Sequence, residues 1–300
     1  MTSAAFAVVL LTGGTVACGE GAASDSASAN EESPEVTPVK AVAKAAASAG
    51  HITSLHYRVT GTVPEWGRLN AEASMHTAPM TMDMTMHATD GRYGGSRLEI
   101  RFVDGAMYVH RDVADSGKLK GASWLRAEPG TWGSDLFDNN SYGLLPRQLE
   151  GNPVVQSAML TASKDVRRIG TETIDGVPAT HYRGTVTSKG VRAARDAAPD
   201  KAARERQIDS LGQFSAMRLD GTLTMDLWVG DDNRTKRFRM RSDTYASKGG
   251  TVDQPLEIID GEPLDMTVTF LDVNEPVTVE APPADDTADL GELADELGTA

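Results

Sequence analysis

At 300 residues with 40% apolar side chains, the chain can bury a sizeable core, and its bulk is not a disordered tail. The 29 Lys and Arg stand against 43 Asp and Glu; a net charge of -14 and a pI near 4.9 argue against nucleic-acid binding and against charge-driven adhesion to anionic lipid. No apolar run reaches the roughly 18 residues of a membrane-crossing helix, and a single cysteine excludes an intrachain disulfide or a cysteine-rich zinc site.

The first residues read as an address. Ala4 to Leu11 is a short apolar stretch, and Thr12-Gly13-Gly14-Thr15-Val16-Ala17 leads through small residues to Cys18. An apolar h-region closed by small residues is an export signal. Cys18 behind Val16-Ala17 resembles a bacterial lipobox, in which the cysteine is lipidated and becomes the mature N-terminus. Thr15 stands where that pattern favours Leu, and no Lys or Arg precedes the apolar run, as if an upstream start were missing. Residues 19–35 are Gly, Ser, Ala and acid, too polar to fold. The expected organisation is a signal peptide over 1–17, a lipidated Cys18 with a flexible tether over 18–35, and one domain over 36–300. Two acyl chains on Cys18 would hold such a domain without electrostatic help, since each buried methylene contributes about 0.8 kcal/mol.

Thr37 and Pro38 predict the cap and first turn of a helix with Val39, Val42, Ala43 and Ala46 on one face and a stop at Gly50. Leu55, Tyr57 and Val59 alternate with polar residues and predict a strand. Leu69 to Met75 is a weaker strand, and Met80, Met82, Met84 and Met86 alternate with Thr81, Asp83, Thr85 and His87 before an Asp90-Gly91 turn. Leu98 to Val103 and Ala106 to Arg111 flank Asp104-Gly105, a hairpin signal, and Trp124 to Arg126 is a further strand. Asn152-Pro153 caps a helix carrying Val154, Val155, Ala158 and Met159. Val166 to Ile174 and Val177 to Val186 flank a second Asp-Gly turn at Asp175-Gly176. Residues 191–211 read as a charged helix broken near Pro199. Leu219 to Val229, Arg234 to Tyr245, Leu264 to Leu271 and Pro276 to Glu280 complete the strands, and Asp285 to Leu297 is an acidic helix or frayed tail. Consecutive strands joined by tight turns predict an α+β fold: a strongly curved antiparallel sheet, a half-barrel of about ten strands, with helices covering its concave face.

The chain lacks a G-x-S-x-G elbow, a P-loop, an H-E-x-x-H helix and a G-x-G-x-x-G turn, so no catalytic role, cofactor or metal site is expected. His56, His87, His110 and His181 fall within strands and read as polar outward positions. The methionine stripe admits three readings: simple inward packing, the soft lining of a cavity for apolar ligands, or thioether ligation of Cu(I) with His76 and His87. Leu223, Met225, Leu227 and Val229 share a face, as do Met266, Val268 and Phe270, while Thr222, Thr224, Asp226 and Trp228 form the opposite, mostly polar face. Arg237, Arg239 and Arg241 alternate with Phe238 and Met240; they read as a solvated strand face or as a row meeting anionic head groups.

Four stretches, taken in order, resemble actinobacterial lipoproteins of the LppX/LprAFG type, related to the LolA/LolB carriers. They are Asp104-Gly105-Ala106-Met107-Tyr108-Val109 ahead of Trp124-Leu125; Gly170 to Gly176 leading to Thr180-His181-Tyr182; Leu223 to Arg237; and Thr267 to Phe270 followed by Asn274 to Val279 and Pro282-Pro283. The resemblance covers roughly residues 37–295. It implies a half-barrel whose concave side is lined with apolar residues, covered by helices, and occupied by lipid or lipidated cargo, with no catalytic residues. On this chain the lining would be Met80, Met82, Met84, Met86, Leu223, Met225, Leu227, Met266, Val268 and Phe270, and Cys18 the lipid attachment. The Met-rich third strand and the charged segment 191–211 depart from the pattern and point to a different cargo. Two functions follow: a membrane-anchored extracytoplasmic protein that binds lipid for transport or sensing, or an anchored interaction scaffold with a filled core.

Overall fold

A computed structural model of the chain describes residues 37–91, 94–111, 119, 121–128, 142, 144–249 and 254–297. Cys18 and the expected signal segment and tether lie outside them. Thr37 caps helix α1 (Pro38–Ala49), its hydroxyl accepting from the Lys40 N–H at 3.4 Å. The face that turns inward is Ala41, Val42, Ala45, Ala46 and Ala49. Val39 is 55% exposed, and Ala43 is exposed too, so the predicted stripe is rotated. Small alanines let the helix sit close to its neighbours, and packing chose them over the more apolar valine.

Six strands follow as a meander: β1 (Ser54–Val63), β2 (Gly67–Thr77), β3 (Met80–Ala88), β4 (Arg97–Val103), β5 (Ala106–Arg111) and β6 (Trp124–Ala127). Helices α2 (Arg147–Glu150) and α3 (Pro153–Ala158) come next, with Asn152 accepting from the Val154 N–H and a 3-10 turn at Met159–Ala162. A second meander contains β7 (Arg167–Ile174), β8 (Val177–Val186), β9 (Leu223–Gly230) and β10 (Thr235–Ser242). Between β8 and β9 lie α4 (Ser188–Asp196) and α5 (Lys201–Ala216), separated at Pro199 as the sequence predicts, with Asp200 capping α5. The small hairpin β11 (Tyr245–Lys248) and β12 (Glu257–Asp260) forms its own sheet. Then come β13 (Leu264–Val273), β14 (Thr287–Asp289) and α6 (Leu290–Leu297).

The main sheet has twelve strands in the order β14-β6-β5-β4-β3-β2-β1-β13-β10-β9-β8-β7. Strand β13 joins the two meanders by pairing with both β1 and β10, which sets Tyr57 opposite Phe270 and Phe238 opposite Val268. The sheet is a curved half-barrel that does not close, because β7 and β14 end it without pairing to each other. All pairings are antiparallel except β14 against β6, which is parallel.

Both Asp-Gly turns form as expected. Asp104 and Gly105 have φ of 54° and 77°, Asp175 and Gly176 of 46° and 84°, the left-handed pair of a type I′ hairpin. A Cβ at Gly105 or Gly176 would meet nothing, so backbone conformation alone demands glycine there.

Three sequence expectations need correction. Pro276 to Glu280 is not a strand. Both edges of the preceding β13 are already paired, and prolines at 276, 282 and 283 remove backbone donors that a further strand would need. Leu219 to Thr222 does not belong to β9; Leu219 makes only an isolated bridge to Thr244. Third, the meander is not purely antiparallel, because the short β14 returns along β6.

The helices cover one face. Val42, Leu149, Met159, Leu160, Val191, Phe214 and Met217 share a single apolar cluster with the inward residues of the strands. Among the described residues no helix is long and apolar enough to cross a membrane.

Candidate functional site

Strand alternation fixes which side chains face inward. Met82, Met84 and Met86 lie opposite Phe102, Ile100 and Leu98 on β4 and opposite Met75, Ala73 and Ala71 on β2. Leu223, Met225, Leu227, Met266, Val268 and Phe270 complete the same apolar cluster. Nine of the ten expected lining residues are therefore brought together. Met80 is not; it begins β3 at the rim and is 41% exposed. Val229 joins the cluster as well.

Beneath α2 and α3 the free volume is about 10 Å³, bounded by Tyr57, Val59, Met266, Val268, Gln148, Leu149 and Gln156 among others. That is room for one water at most. At this place, directly beneath α2 and α3, the expected concavity is narrowed to that small space. Methionine explains why few large aromatics suffice, since its unbranched thioether follows irregular gaps. The Tyr57 hydroxyl donates to the Met82 sulfur at 3.4 Å, and burial pushes the Tyr57 hydroxyl pKa upward.

Two glutamines sit in this otherwise apolar layer. Gln148 is 5% exposed and Gln156 1%. Gln148 donates through Nε2 to the Met217 carbonyl at 3.2 Å, and Gln156 donates through Nε2 to the Gln148 carbonyl at 2.9 Å. Both Nε2 donors thus bond within the helical layer rather than to the strands below.

Gln148 also bounds a second space. A cavity of about 250 Å³ opens at the rim, between the β1–β2 turn, the segment leading into α2, the end of α5 and the start of β11. Trp66, Leu145 and Met217 form its buried apolar floor, and Glu65, Arg147 and Arg218 bring charge to it. Nothing in the sequence flagged this place. Its residues come from four distant segments, and none carries a motif.

The outer face holds a buried ionic cluster that sequence reasoning assigned to solvent. Asp226 is 1% exposed and His181 4%. Asp226 accepts from His181 Nε2 and Arg183 Nε, both at 2.6 Å, and from Arg241 Nη2 at 2.9 Å. Glu172 Oε1 lies 2.8 Å from His181 Nδ1, and Trp228 stacks on the imidazole with centroids 4.3 Å apart. Burial pushes the Asp226 carboxyl up, but the bonds from Arg183, His181 and Arg241 outweigh it and hold it below the usual carboxylate range. The arginine row is largely paired: Arg239 grips Asp265 with two 2.6 Å bonds, Arg241 holds Asp226, and Arg237 donates to Thr269 at 2.9 Å.

The copper geometry does not assemble. Met82, Met84 and Met86 point inward, whereas His87 points to the exposed opposite face and His76 contacts the Pro79 carbonyl at 3.1 Å. Among the described residues no group of three or more His, Cys, Asp or Glu is placed to hold a metal ion.

LprF from Mycobacterium bovis is similar over 82% of this chain and 96% of its own, at 15% identity and a TM-score of 0.47. Two Streptomyces proteins are related in sequence. One is an uncharacterized 31.2 kDa protein of the rplA-rplJ intergenic region of Streptomyces griseus, 26% identical over 217 residues, 68% of this chain and 60% of that protein. The other, from Streptomyces coelicolor, is named "putative lipoprotein" and is 25% identical over 217 residues, 72% of this chain and 59% of that protein. The chain thus spans about 60% of the length of these curated relatives. No family model matches it.

Proposed function

We propose that this chain is a lipid-anchored envelope protein, held by Cys18 at the extracytoplasmic face of the cell membrane. Its role is to bind a lipid or similar apolar ligand between the methionine-lined sheet and helices α2 and α3, without catalysis. The observation that carries the reading is the continuous apolar inner face, Met82, Met84 and Met86 through Val268 to Leu227, roofed by a layer whose two buried glutamines donate their Nε2 bonds within that layer. Such a roof separates from the strands without stranding those two donors. The lipobox-like Cys18, the polar tether and the name carried by the Streptomyces coelicolor relative support the anchor.

The interior described above is the closed state, so a ligand enters by displacing α2 and α3. An acyl ligand burying about 400 Å² of apolar surface would gain roughly 10 kcal/mol before association costs, enough to compensate for loosening a short helical layer. Soft methionines repack around varied chains with little strain.

The narrow space beneath α2 and α3 favours one second reading, an anchored scaffold whose surface is read by a protein partner. Lipid extraction and mass spectrometry of the purified chain, with titration of a fluorescent fatty acid, separate the two. Bound lipid or uptake near one per chain supports the carrier; an empty protein that takes up nothing supports the scaffold. Cys18→Ser should release the protein from membranes into the medium, and continued membrane association would remove the anchor from the proposal.

A further inference from the structure

The exposed apolar side chains of this molecule are not spread evenly. Among the described residues ten large ones are exposed, and four of them, Tyr245, Leu256, Ile258 and Ile259, belong to the β11–β12 hairpin and the residue leading into β12. The other six come one each from α1, β3, β7, β8, α5 and β13, the single scattering ordinary on protein surfaces.

Both faces of the hairpin are bare. Ser247 lies opposite Ile258 and Ala246 opposite Ile259, so strand alternation turns the two isoleucines to opposite sides. Ile258 is nevertheless 59% exposed, Ile259 38% and Leu256 63%. Every residue of β12 is exposed. The hairpin forms a sheet of its own and is tied to the body at its base. There the Thr244 hydroxyl donates to the Glu262 carbonyl at 2.6 Å, the Gly261 N–H to the Thr244 carbonyl at 2.7 Å and the Tyr245 N–H to the Arg218 carbonyl at 3.0 Å. Tyr245 also lines the rim cavity, so the hairpin stands beside that opening.

An apolar ridge bare on two sides suits a fluid partner. A folded protein docked on one side would leave the other isoleucine in water, whereas acyl chains close around both. A second copy is poorly served as well: stable interfaces take about 20–30 residues a side, and the two strands offer eight. Of the two acids on β12, Glu257 lies opposite Lys248 and Asp260 sits at the base, away from Leu256. A bilayer is also within reach, because the 18 residues between Cys18 and Thr37 span at most about 65 Å. Confinement by an anchor turns a contact too weak for a free protein into an intramolecular one.

We propose that the β11–β12 hairpin is a membrane-docking element: Leu256, Ile258 and Ile259 enter the bilayer to which the chain is anchored, with Tyr245 at head-group level beside the rim cavity. Tyrosine favours that level because its ring is apolar and its hydroxyl wet. The contact is apolar, in keeping with a net charge of -14 that gives anionic lipid no hold. The inference takes from the anchored-envelope reading only the nearness of a bilayer and does not require the inner face to bind lipid.

The test couples the full chain through Cys18, its single cysteine, to a maleimide-headed lipid in phosphatidylcholine vesicles. A photoactivatable phosphatidylcholine in the same vesicles marks, by peptide mass spectrometry, where lipid touches the chain. Label should concentrate on Tyr245 to Lys248 and Leu256 to Asp260, and should fall there at least about fivefold in the double variant Leu256→Ser with Ile258→Ser. The melting temperature of that variant should not change, since both side chains already face water. Raising the salt about fivefold should leave the label intact, as an apolar contact requires. Label spread over the whole surface, or unmoved by the double variant, overturns the proposal. Label confined to the inner-face strand carrying Met82, Met84 and Met86 overturns it and leaves lipid binding standing. A dimer in sedimentation velocity that the double variant dissociates overturns it in favour of a second copy. Because the coupling is chemical, none of these outcomes depends on native acylation of Cys18, so the docking and anchor readings fail separately.

Discussion

The two faces of strand β9 reach the same depth by opposite chemistry. Inward, Leu223, Met225 and Leu227 are at most 1% exposed and touch apolar neighbours; outward, Asp226 is also 1% exposed and is surrounded by His181, Arg183 and Arg241. The inner face is held by non-directional contacts that can reform around a guest. The outer face is held by short charge-assisted bonds that permit one arrangement only. Under the proposed mode of ligand entry, the inner face would yield while the outer face keeps the strand register.

The largest effect should come from bringing charge to the inner face. Met84→Glu places a carboxylate at a position with no exposure, opposite Ala73 and Ile100, and should cost more than about 4–5 kcal/mol, preventing folding. A folded variant with lipid uptake alone abolished would show that Met84 borders an accessible cavity and would break the contrast. Removing charge from the outer face comes next. Asp226→Ala leaves His181, Arg183 and Arg241 without their shared acceptor and should cost about 3–5 kcal/mol in urea unfolding. A loss below 1 kcal/mol would mean that the cluster is not the rigid side.

The same cluster predicts a pH dependence. Because the Asp226 carboxyl lies below its usual range when folded, its stabilisation is complete above the unfolded value, about pH 4, and is lost as pH falls through the folded value. Asp226→Asn should flatten that acid limb in a melting series from pH 7 downward. Gln148→Ala sharpens the contrast from within the roof. Loss of its bond to the Met217 carbonyl should cost about 1–3 kcal/mol, join the rim cavity to the inner void and speed fatty-acid uptake. Unchanged uptake would show that Gln148 does not separate the two spaces. The smallest effect belongs to Arg239→Ala. Its paired bonds to Asp265 are well formed, but both side chains are about 40% exposed or more, so the thermal shift should correspond to about 1 kcal/mol or less.

Much of this was legible locally. The alternation of Met82, Met84 and Met86 with Thr81, Asp83 and Thr85 identified a strand and its inward face. Asp104-Gly105 and Asp175-Gly176 located two hairpins because left-handed backbone leaves few residue choices. Thr37, Asn152 and Pro199 marked helix ends through capping and the missing proline donor. The rotated face of α1 was not legible, because among valines and alanines the choice falls to the surface packed against. Nor were the burial of His181 and Asp226 or the rim cavity. His181 and Asp226 are separated by 45 residues, and the cavity draws on segments from Pro64 to Tyr245; no local pattern encodes either meeting.

Short-range physics, the two-residue period of strands and the steric demands of turns and caps, let the residues alone decide the elements, their apolar sides and the α+β class. Tertiary structure decided how the elements meet. Strand β13 bridges β1 and β10, β14 returns parallel to β6, and α2 with α3 packs over Tyr57, Val59, Met266 and Val268, leaving about 10 Å³ there. These outcomes depend on which distant surfaces fit together, and a side chain's own sequence neighbourhood carries no record of the surface that finally covers it.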